Sequence, residues 1–223
     1  MQAAGTSYVG LMHSPLETPP RWQSVPATSL IIALALLVAA ASELLGKPFV
    51  LDWLAYTPVE FTGRRFELVP PGDQYWRYIT PVFVHFGLLH LVFNCLWIWE
   101  FGWRLERALG WTHCLGIFLA GAIVGNGLQF WWSGPSIFGG LSGVVYAFMG
   151  ALWWLGRVRP GRVIQPPSAI FTFMWIWLLV GLTGVLEIIG FGAIANGAHF
   201  GGLLAGLGSA VVITSIHPKP GAH

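Results

Sequence analysis

The sequence contains very little charge. Only 9% of its 223 residues are Asp, Glu, Lys or Arg, whereas soluble domains carry ~25% of such residues. Apolar and aromatic residues make up 55% of the chain. A soluble globule of this composition would expose large apolar patches and aggregate, and a disordered chain would need low hydropathy and high charge. The composition therefore indicates an integral membrane protein.

Cysteine and clustered basic charge are scarce as well. The two cysteines, Cys95 and Cys114, lie inside apolar stretches, which argues against a disulfide framework and is typical of small buried side chains. The net charge of +2 is small and scattered along the chain, so a nucleic-acid footprint is not expected. The expected partner at this point is the lipid bilayer, and no nucleic acid is expected.

Six apolar stretches are candidates for membrane spans, which need ~20 mostly apolar residues. They cover residues 28–46, 81–103, 112–132, 142–156, 168–189 and 193–216. Small residues at the end of the first stretch are similar to a signal-peptide cleavage site. However, four prolines and only one basic residue precede this stretch, and cleavage of the stretch would leave an odd number of spans. We therefore interpret it as a membrane span and not as a signal peptide. We predict a cytoplasmic segment at 1–27, a six-helix membrane domain at 28–216 and a cytoplasmic tail at 217–223.

The distribution of Lys and Arg predicts the orientation of these spans. Seven of these residues fall on the side of the termini, and four fall on the other side, all within the loop at 47–80. The positive-inside rule therefore places both termini in the cytoplasm. Residues 47–80 then form a long first external loop. Its aromatic side chains suit the headgroup region: they are Trp53, Tyr56, Phe61, Tyr75 and Trp76.

Few polar side chains occur within the predicted spans, and a charge at the centre of a span costs ~2.5–3.5 kcal/mol. Such residues are therefore candidates for function. At ~100° per residue of helix, His90 and Asn94 share one face of the second span, whereas His85 is expected to point elsewhere. Ser142 opens the fourth span, and His199 lies in the sixth.

Small residues predict that the fourth and sixth spans pack closely. They recur at spacings of three and four residues: Gly143, Ala147, Gly150 and Ala151 in the fourth span, and Gly202 and Gly206 in the sixth. Such stripes let helix backbones approach each other in lipid. If they pack together, Ser142 and His199 meet near the external ends of their helices.

The chemistry that this arrangement would allow is acyl transfer, which needs a nucleophile, a base and oxyanion donors. Ser142 follows a turn-rich loop at 133–141 and begins a short helix, where free backbone N–H groups and the helix dipole favour an oxyanion. The expected roles are nucleophile for Ser142, general base for His199, and oxyanion donors for His90 and Asn94. No acidic residue falls on a face near His199, so we expect a Ser–His dyad with Tyr146 stacked on the imidazole.

A metal site is the competing interpretation of the histidines. Histidine pairs in metal sites often lie three or four residues apart on one helix, and His85, His90 and His199 form no such pair. No carboxylate or thiolate shares their faces either. We therefore expect neither a metal ion nor another cofactor.

Taken together, these motifs resemble those of a bacterial rhomboid intramembrane serine protease. The matching strings are Trp76-Arg77, His85-x4-His90-x3-Asn94, Gly139-Gly140-Leu141-Ser142-Gly143-Val144-Val145-Tyr146 and Asn196-Gly197-Ala198-His199-x2-Gly202. They fall within residues 75–215. The family often has Glu-x-Arg-x-Gly after the second helix, and here the string is Glu106-Arg107-Ala108-Leu109-Gly110, which leaves the hydrogen bonding at the cytoplasmic end open.

The resemblance implies an all-α membrane protein, a six-transmembrane-helix rhomboid bundle with a long first external loop. It implies a dyad of Ser142 and His199, with His90, Asn94 and the Ser142 N–H in the oxyanion hole. Tyr146 stacks under the imidazole in this family, and Gly140 and Gly202 belong to the same supporting motifs. The implied activity is cleavage of transmembrane segments of membrane proteins, in a bacterial inner membrane.

Two other functions remain open. A non-catalytic rhomboid-like protein that binds or escorts membrane proteins would lack the serine or the histidine, and both are present here. A small-solute transporter is disfavoured because the sequence shows no internal repeat. The segment at 190–193, rich in glycine, is predicted to act as a mobile cap before the last span. The oligomeric state is not predicted.

Overall fold

The computed structural model describes residues 19–161, 163–188 and 193–216, which form a helical bundle with one β-hairpin. The elements are α1 (Pro26–Leu45), α2 (Lys47–Leu54), β1 (Val59–Phe61), β2 (Phe66–Leu68), α3 (Leu88–Leu109), α4 (Trp111–Ser133), α5 (Ser142–Val158), α6 (Ser168–Leu182) and α7 (Asn196–Ile216). Short 3-10 turns cover Trp22–Ser24, Tyr75–Tyr78 and Thr80–Phe83. The predicted tail at 217–223 and most of the N-terminal segment lie outside the described residues.

Within the described part of the chain, three helices are both long and apolar enough to cross a membrane: α1, α4 and α7. The helix α6 is apolar but has only 15 residues. A helix rises ~1.5 Å per residue, so ~20 residues span the hydrocarbon core. The chain is thus a multi-pass helical membrane protein, and the count of six spans stays a prediction.

The second predicted span is wrong at both ends. Its helix runs from Leu88 to Leu109 rather than from 81 to 103. Pro81 lies in a 3-10 turn, and its carbonyl accepts the Gly140 N–H at 3.1 Å, so contact with the loop before α5 holds this segment out of the helix. Gly110, with φ +84°, ends the helix, a backbone conformation that favours glycine.

The fifth predicted span is also too long. The helix α6 ends at Leu182 instead of continuing to 189. Gly184, in the turn that follows, has φ +73°, which side chains with a Cβ rarely adopt. The predicted cap lies almost entirely outside the described residues, because 189–192 are among those not described.

The helix α5 occupies the centre of the bundle. Every residue from 143 to 152 is buried, and a helix that is apolar all round must be covered on all sides. It packs most extensively on α7, and also on α3 and α4. The start of this central helix is therefore the place where several other helices converge.

A buried arginine links the two ends of the loop between α2 and α3. The Arg77 guanidinium donates to the carbonyls of Ala55 and Asp52 at 2.7 and 2.6 Å, and to the side chain of Gln74 at 2.6 Å. Nearby, the hydroxyl of Thr57 donates to the Ser136 carbonyl at 2.8 Å. The Arg77 bonds hold the loop against the end of α2, and the Thr57 bond connects it to the segment that precedes α5.

An aromatic cluster supports the same contact. The ring of Tyr56 lies 5.4 Å from that of Tyr78, 5.3 Å from Phe130 and 5.5 Å from Phe138. Burial, and to a lesser extent the neighbouring Tyr78, raises the pKa of Tyr56. The phenol therefore stays neutral. The cluster of aromatic rings forms an uncharged packing contact between the first loop and α4.

Glu106 stabilises the opposite end of the bundle. It belongs to the string at 106–110, which differs from the common family pattern. Its carboxylate accepts the backbone N–H groups of Ala27 and Thr28, both at 2.8 Å, and the Thr28 hydroxyl at 2.7 Å. A carboxylate on the free N–H groups of a helix N-terminus is stabilising. Glu106 of α3 thus caps α1, so hydrogen bonding at this end is present despite the altered motif.

Candidate active site

Ser142 is the first residue of the central helix. The loop before it turns at Gly140, whose φ is +111°, a backbone conformation that strongly favours glycine. The N–H of Val145 bonds to the Leu141 carbonyl at 2.9 Å and so begins the helical pattern. The N–H groups before it in the first turn, including that of Ser142, lack intrahelical partners, as at any helix N-terminus. Ser142 therefore combines a hydroxyl with free backbone donors.

His199 lies in the first turn of α7 and faces the serine. Its Nε2 is 2.8 Å from the Ser142 Oγ, and the residue is only 5% exposed. The His199 Nδ1 is buried and has no hydrogen-bond partner among the described residues. An imidazole that carries its proton on Nδ1 has Nε2 free to accept a hydrogen bond from the serine hydroxyl.

Close packing of glycines brings these two residues together. A Cβ on Gly202 would overlap the carbonyl of Gly143, and one on Gly206 would overlap that of Ala147. The two backbones therefore touch directly along the stripe that the spacing of small residues predicts. The α5–α7 contact is the most extensive in the bundle, and it fixes the distance between hydroxyl and imidazole.

Tyr146 supports the imidazole from one turn further along α5. Its ring centroid lies 4.9 Å from that of His199 with an angle of 39° between the planes, within the range of aromatic contacts. Its hydroxyl donates to the Met174 carbonyl of α6 at 2.9 Å. The orientation of the imidazole thus depends on α6 as well as on α5 and α7.

His90 and Asn94 lie beside Gly140, immediately before the serine. An ideal Cβ at Gly140 would lie 2.7 Å from the His90 Nε2 and 3.6 Å from the Asn94 Nδ2. The Asn94 amide donates one N–H to the His90 carbonyl at 2.9 Å, and an amide nitrogen has a second N–H to donate. A ring nitrogen of His90 and the amide nitrogen of Asn94 therefore lie beside the loop that carries Ser142.

His85 is placed differently from the prediction. Its ring centroid is only 5.0 Å from that of His90, although helical geometry predicts that the two point apart. The reason is that residue 85 precedes α3 and is not helical. Its Nδ1 is 3.1 Å from the Phe83 carbonyl, and Leu141 N–H approaches its Nε2 at 3.5 Å, beyond the usual range for a hydrogen bond.

Gln129 contributes to the site although the sequence motifs do not include it. Its Oε1 accepts the N–H of Ala198 at 3.1 Å, and its Nε2 donates to Ser133 at 3.1 Å. It is 7% exposed. The side chain fixes the residue before His199, and its position inside an apolar span was the signal that could have identified it. The Met174 carbonyl carried no such signal, because any residue supplies one.

No cluster of three or more potential metal ligands occurs among the described residues. The histidines of the site are bonded to, or packed against, a hydroxyl, a carbonyl and an aromatic ring. The arrangement thus brings a hydroxyl, two imidazoles and an amide together at the start of α5.

The fold and the site define a class: a multi-pass helical membrane protein with a buried hydroxyl–imidazole pair at the ends of two tightly packed helices. The model of the Rhomboid domain matches residues 72–216, well over half of the chain. The chain therefore belongs to the rhomboid family, as the motifs predict.

Similar proteins are named rhomboid protease GlpG. The relative from Pectobacterium atrosepticum is 37% identical over 182 residues, which cover 82% of this chain and 60% of that protein. The relative from Yersinia pestis strain Pestoides F is 34% identical over 187 residues, covering 84% and 62%. That from Salmonella choleraesuis is 38% identical over 198 residues, covering 87% and 65%. The chain thus spans less than two thirds of the length of these relatives.

Proposed function

We propose that the protein is an intramembrane serine endopeptidase that cleaves transmembrane segments of membrane proteins with a Ser142–His199 dyad. The observation that carries the proposal is the 2.8 Å contact between the Ser142 Oγ and the His199 Nε2. A nucleophile within hydrogen-bond reach of a base is the arrangement needed for covalent acyl transfer. The names of the similar rhomboid proteases support the same activity.

In the first step, His199 removes the proton from Ser142 as the hydroxyl attacks the carbonyl carbon of the scissile peptide bond. The resulting imidazolium then donates that proton to the leaving amine, and an acyl-enzyme remains. Tyr146 holds the ring in place through its 4.9 Å contact. The backbone contact between α5 and α7 keeps the two groups at bonding distance throughout.

The negative charge of the tetrahedral intermediate is held by three donors: the Ser142 N–H, the Asn94 amide and the His90 ring. The His90 ring and the Asn94 amide lie next to Gly140, where an added Cβ would come within 2.7 Å of the His90 Nε2. Donors fixed in advance, with water largely excluded, contribute most when charge develops. The start of α5 adds the positive end of its helix dipole.

Water then hydrolyses the acyl-enzyme, with His199 again acting as the base. In a helical substrate the backbone carbonyls accept hydrogen bonds from backbone N–H groups of the same helix. The scissile segment must therefore unwind before the serine can attack it. Substrates with small or helix-breaking residues near the outer membrane face are therefore favoured, because such residues weaken helices. No cofactor enters any step.

The site opens toward the outside of the cell in this proposal. Seven of the eleven Lys and Arg residues fall on the side of the termini, and the positive-inside rule places that side in the cytoplasm. Ser142 and His199 both lie at the opposite ends of their helices. The protein is accordingly a multi-pass protein of a bacterial inner membrane with both termini in the cytoplasm.

The proposal is tested with purified full-length protein in liposomes. A serine-directed fluorophosphonate probe should label the wild type and the Ser136→Ala control, but neither Ser142→Ala nor His199→Ala. Tagged single-span substrates should be cut by the same two active proteins, and mass spectrometry maps the cut. Cleavage by Ser142→Ala at the wild-type rate would refute the nucleophile. Folded wild-type protein that is neither labelled nor active would instead indicate a non-catalytic binding or escort protein.

A further inference from the structure

His199 has a second ring nitrogen, Nδ1, for which Ser142 provides no partner. The other nitrogen, Nε2, lies 2.8 Å from the Ser142 Oγ. For Nε2 to accept the serine proton, the ring must carry its own proton on Nδ1. The Nδ1 atom is buried and bonds to no group among the described residues. Because nearly all buried N–H groups are hydrogen-bonded, this N–H requires an acceptor.

Asn196, the first residue of α7, has the complementary atom. Its Nδ2 donates to the Gly181 carbonyl of α6 at 3.0 Å. A carbonyl oxygen can only accept, so this bond fixes which end of the amide is nitrogen and which is oxygen. The Asn196 Oδ1 is buried and, within the part of the chain that the structure describes, accepts no hydrogen bond. One buried acceptor and one buried donor therefore both require a partner.

These two atoms belong to neighbouring side chains of one helix. The His199 N–H bonds to the Ala195 carbonyl at 3.1 Å, so helical geometry already holds across this turn. Side chains three residues apart on a helix lie next to each other, with Cβ atoms ~5–6 Å apart. The His199 Nδ1 and the Asn196 Oδ1 do not bond each other directly. A small molecule that both accepts and donates a hydrogen bond can join them.

Gly181 leaves the amide oxygen accessible to such a molecule. An added Cβ at Gly181 would lie 2.9 Å from the Asn196 Oδ1. Gly181 is buried within α6 and is not one of the glycines with positive φ, so its backbone conformation does not require glycine. Internal waters occupy polar sites between buried groups, where they have two to four hydrogen-bond partners. The donor and acceptor on α7 meet the lower limit of that number.

We propose that one buried water bridges the His199 Nδ1 and the Asn196 Oδ1. The water accepts the Nδ1–H and donates one of its own hydrogens to the amide oxygen. The proposal rests on the protease function proposed above, and it makes Asn196 a positioning residue that acts on His199 through the water. The hydrogen bond made by one ring nitrogen determines which nitrogen carries the proton. The bridge thus keeps Nε2 free for Ser142 and stabilises the imidazolium that forms during attack.

Water fits this position better than the other candidates. A metal ion binds a nitrogen lone pair, and Nδ1 carries a proton whenever Nε2 accepts from the serine. Tyr146 contacts the imidazole through its ring, while its hydroxyl donates to the Met174 carbonyl at 2.9 Å. No carboxylate among the described residues bonds to Nδ1. Water satisfies both atoms, because it accepts one hydrogen bond and donates another at the same time.

The first experiment is structural and does not depend on activity. A crystal structure of the wild-type protein, at a resolution that shows ordered water, should contain one water within hydrogen-bond distance of both the His199 Nδ1 and the Asn196 Oδ1. In Gly181→Ala, the added methyl group should displace this water. A protein atom bonded to Nδ1 in the wild type, or no ordered water between the two side chains, would overturn the proposal.

The second experiment measures the tautomer of His199 by nitrogen NMR of isotope-labelled histidine in micelles, with its resonance assigned by its loss in His199→Ala. The wild type should have the proton on Nδ1. So should the control Gly127→Ala, where an added Cβ meets nothing within 4 Å. Asn196→Ala and Gly181→Ala should shift the proton toward Nε2. Asn196→Asp keeps an acceptor but loses the bond to Gly181, so it should retain the wild-type tautomer at a lower unfolding temperature.

The kinetic effect should follow the tautomer. We expect kcat to fall about tenfold in Asn196→Ala and Gly181→Ala, the effect of one lost hydrogen bond, with KM unchanged. Wild-type tautomer and kcat in both variants would overturn the proposal. A bridging water in wild-type protein that is neither labelled by the fluorophosphonate nor active would support the bridge and refute the protease function, so the two proposals fail separately.

Discussion

The substitution Gly202→Ala tests whether the contact between α5 and α7 sets the catalytic distance. An added Cβ would fall on the Gly143 carbonyl, well inside the 3.4–4 Å of ordinary contact, and the atoms that it meets are backbone. Neither backbone can move without shifting its helix. Overpacking of this kind costs about 1–3 kcal/mol of stability. A displacement of about 1 Å at the reacting groups lowers the rate ~10²-fold.

The matched control is Gly208→Ala on the same helix, where an added Cβ has nothing within 4 Å. Alanine is favoured over glycine in a helix interior by about 1 kcal/mol, so this variant should be at least as stable as the wild type and equally active. The assay compares kcat on a tagged single-span substrate with thermal unfolding in detergent. If Gly202→Ala were folded and kept the wild-type kcat, the reasoning that backbone contact fixes the dyad would be wrong.

Four further substitutions separate the roles of individual groups. Ser142→Ala should abolish turnover without loss of folding, and residual cleavage at the wild-type rate would exclude it as nucleophile. Asn94→Ala should lower kcat ~10²–10³-fold, as loss of one oxyanion donor does, and an unchanged kcat would exclude the amide from that role. Tyr146→Phe loses only the bond to the Met174 carbonyl, worth about 0.5–1.5 kcal/mol, so kcat should fall less than in Tyr146→Ala; equal losses would show that ring packing contributes nothing. Glu106→Ala leaves three donors of α1 without a partner, at about 1–3 kcal/mol for each buried group; it should lower the unfolding temperature with little effect on kcat, and unchanged stability would contradict its capping role.

The observed starts of α4 and α5 and the observed end of α7 lie within one residue of the positions predicted from the sequence. Polar or turn-forming residues bound the apolar runs at these positions. The start of α3 could not be predicted in this way. Residues 81–87 are apolar enough to continue the helix, but the Pro81 carbonyl bonds Gly140, which is distant in sequence. The same contact explains why His85 lies beside His90 instead of pointing away from it.

The candidate site likewise combines features that the sequence predicts with features that only the structure shows. The small residues of α5 and α7 indicated their close packing, and the structure brings Ser142 and His199 to bonding distance along that contact. The position of Gln129 inside an apolar span could have identified it as a candidate, but its bond to Ala198 could not be predicted from the sequence. Neither could the bond between Tyr146 and the Met174 carbonyl. These bonds join residues of different helices, and no spacing within one helix records which carbonyl another helix presents.

The amino-acid sequence by itself determined that this chain enters a membrane, which helices can approach closely, and which few polar groups lie within them, because apolar content and helical spacing are local properties. Only the tertiary structure decided where α3 begins, how the imidazole is held, and that the chain between α2 and α3 folds into a hairpin. Each of these depends on contacts between segments far apart in the chain, whose energies no local pattern contains.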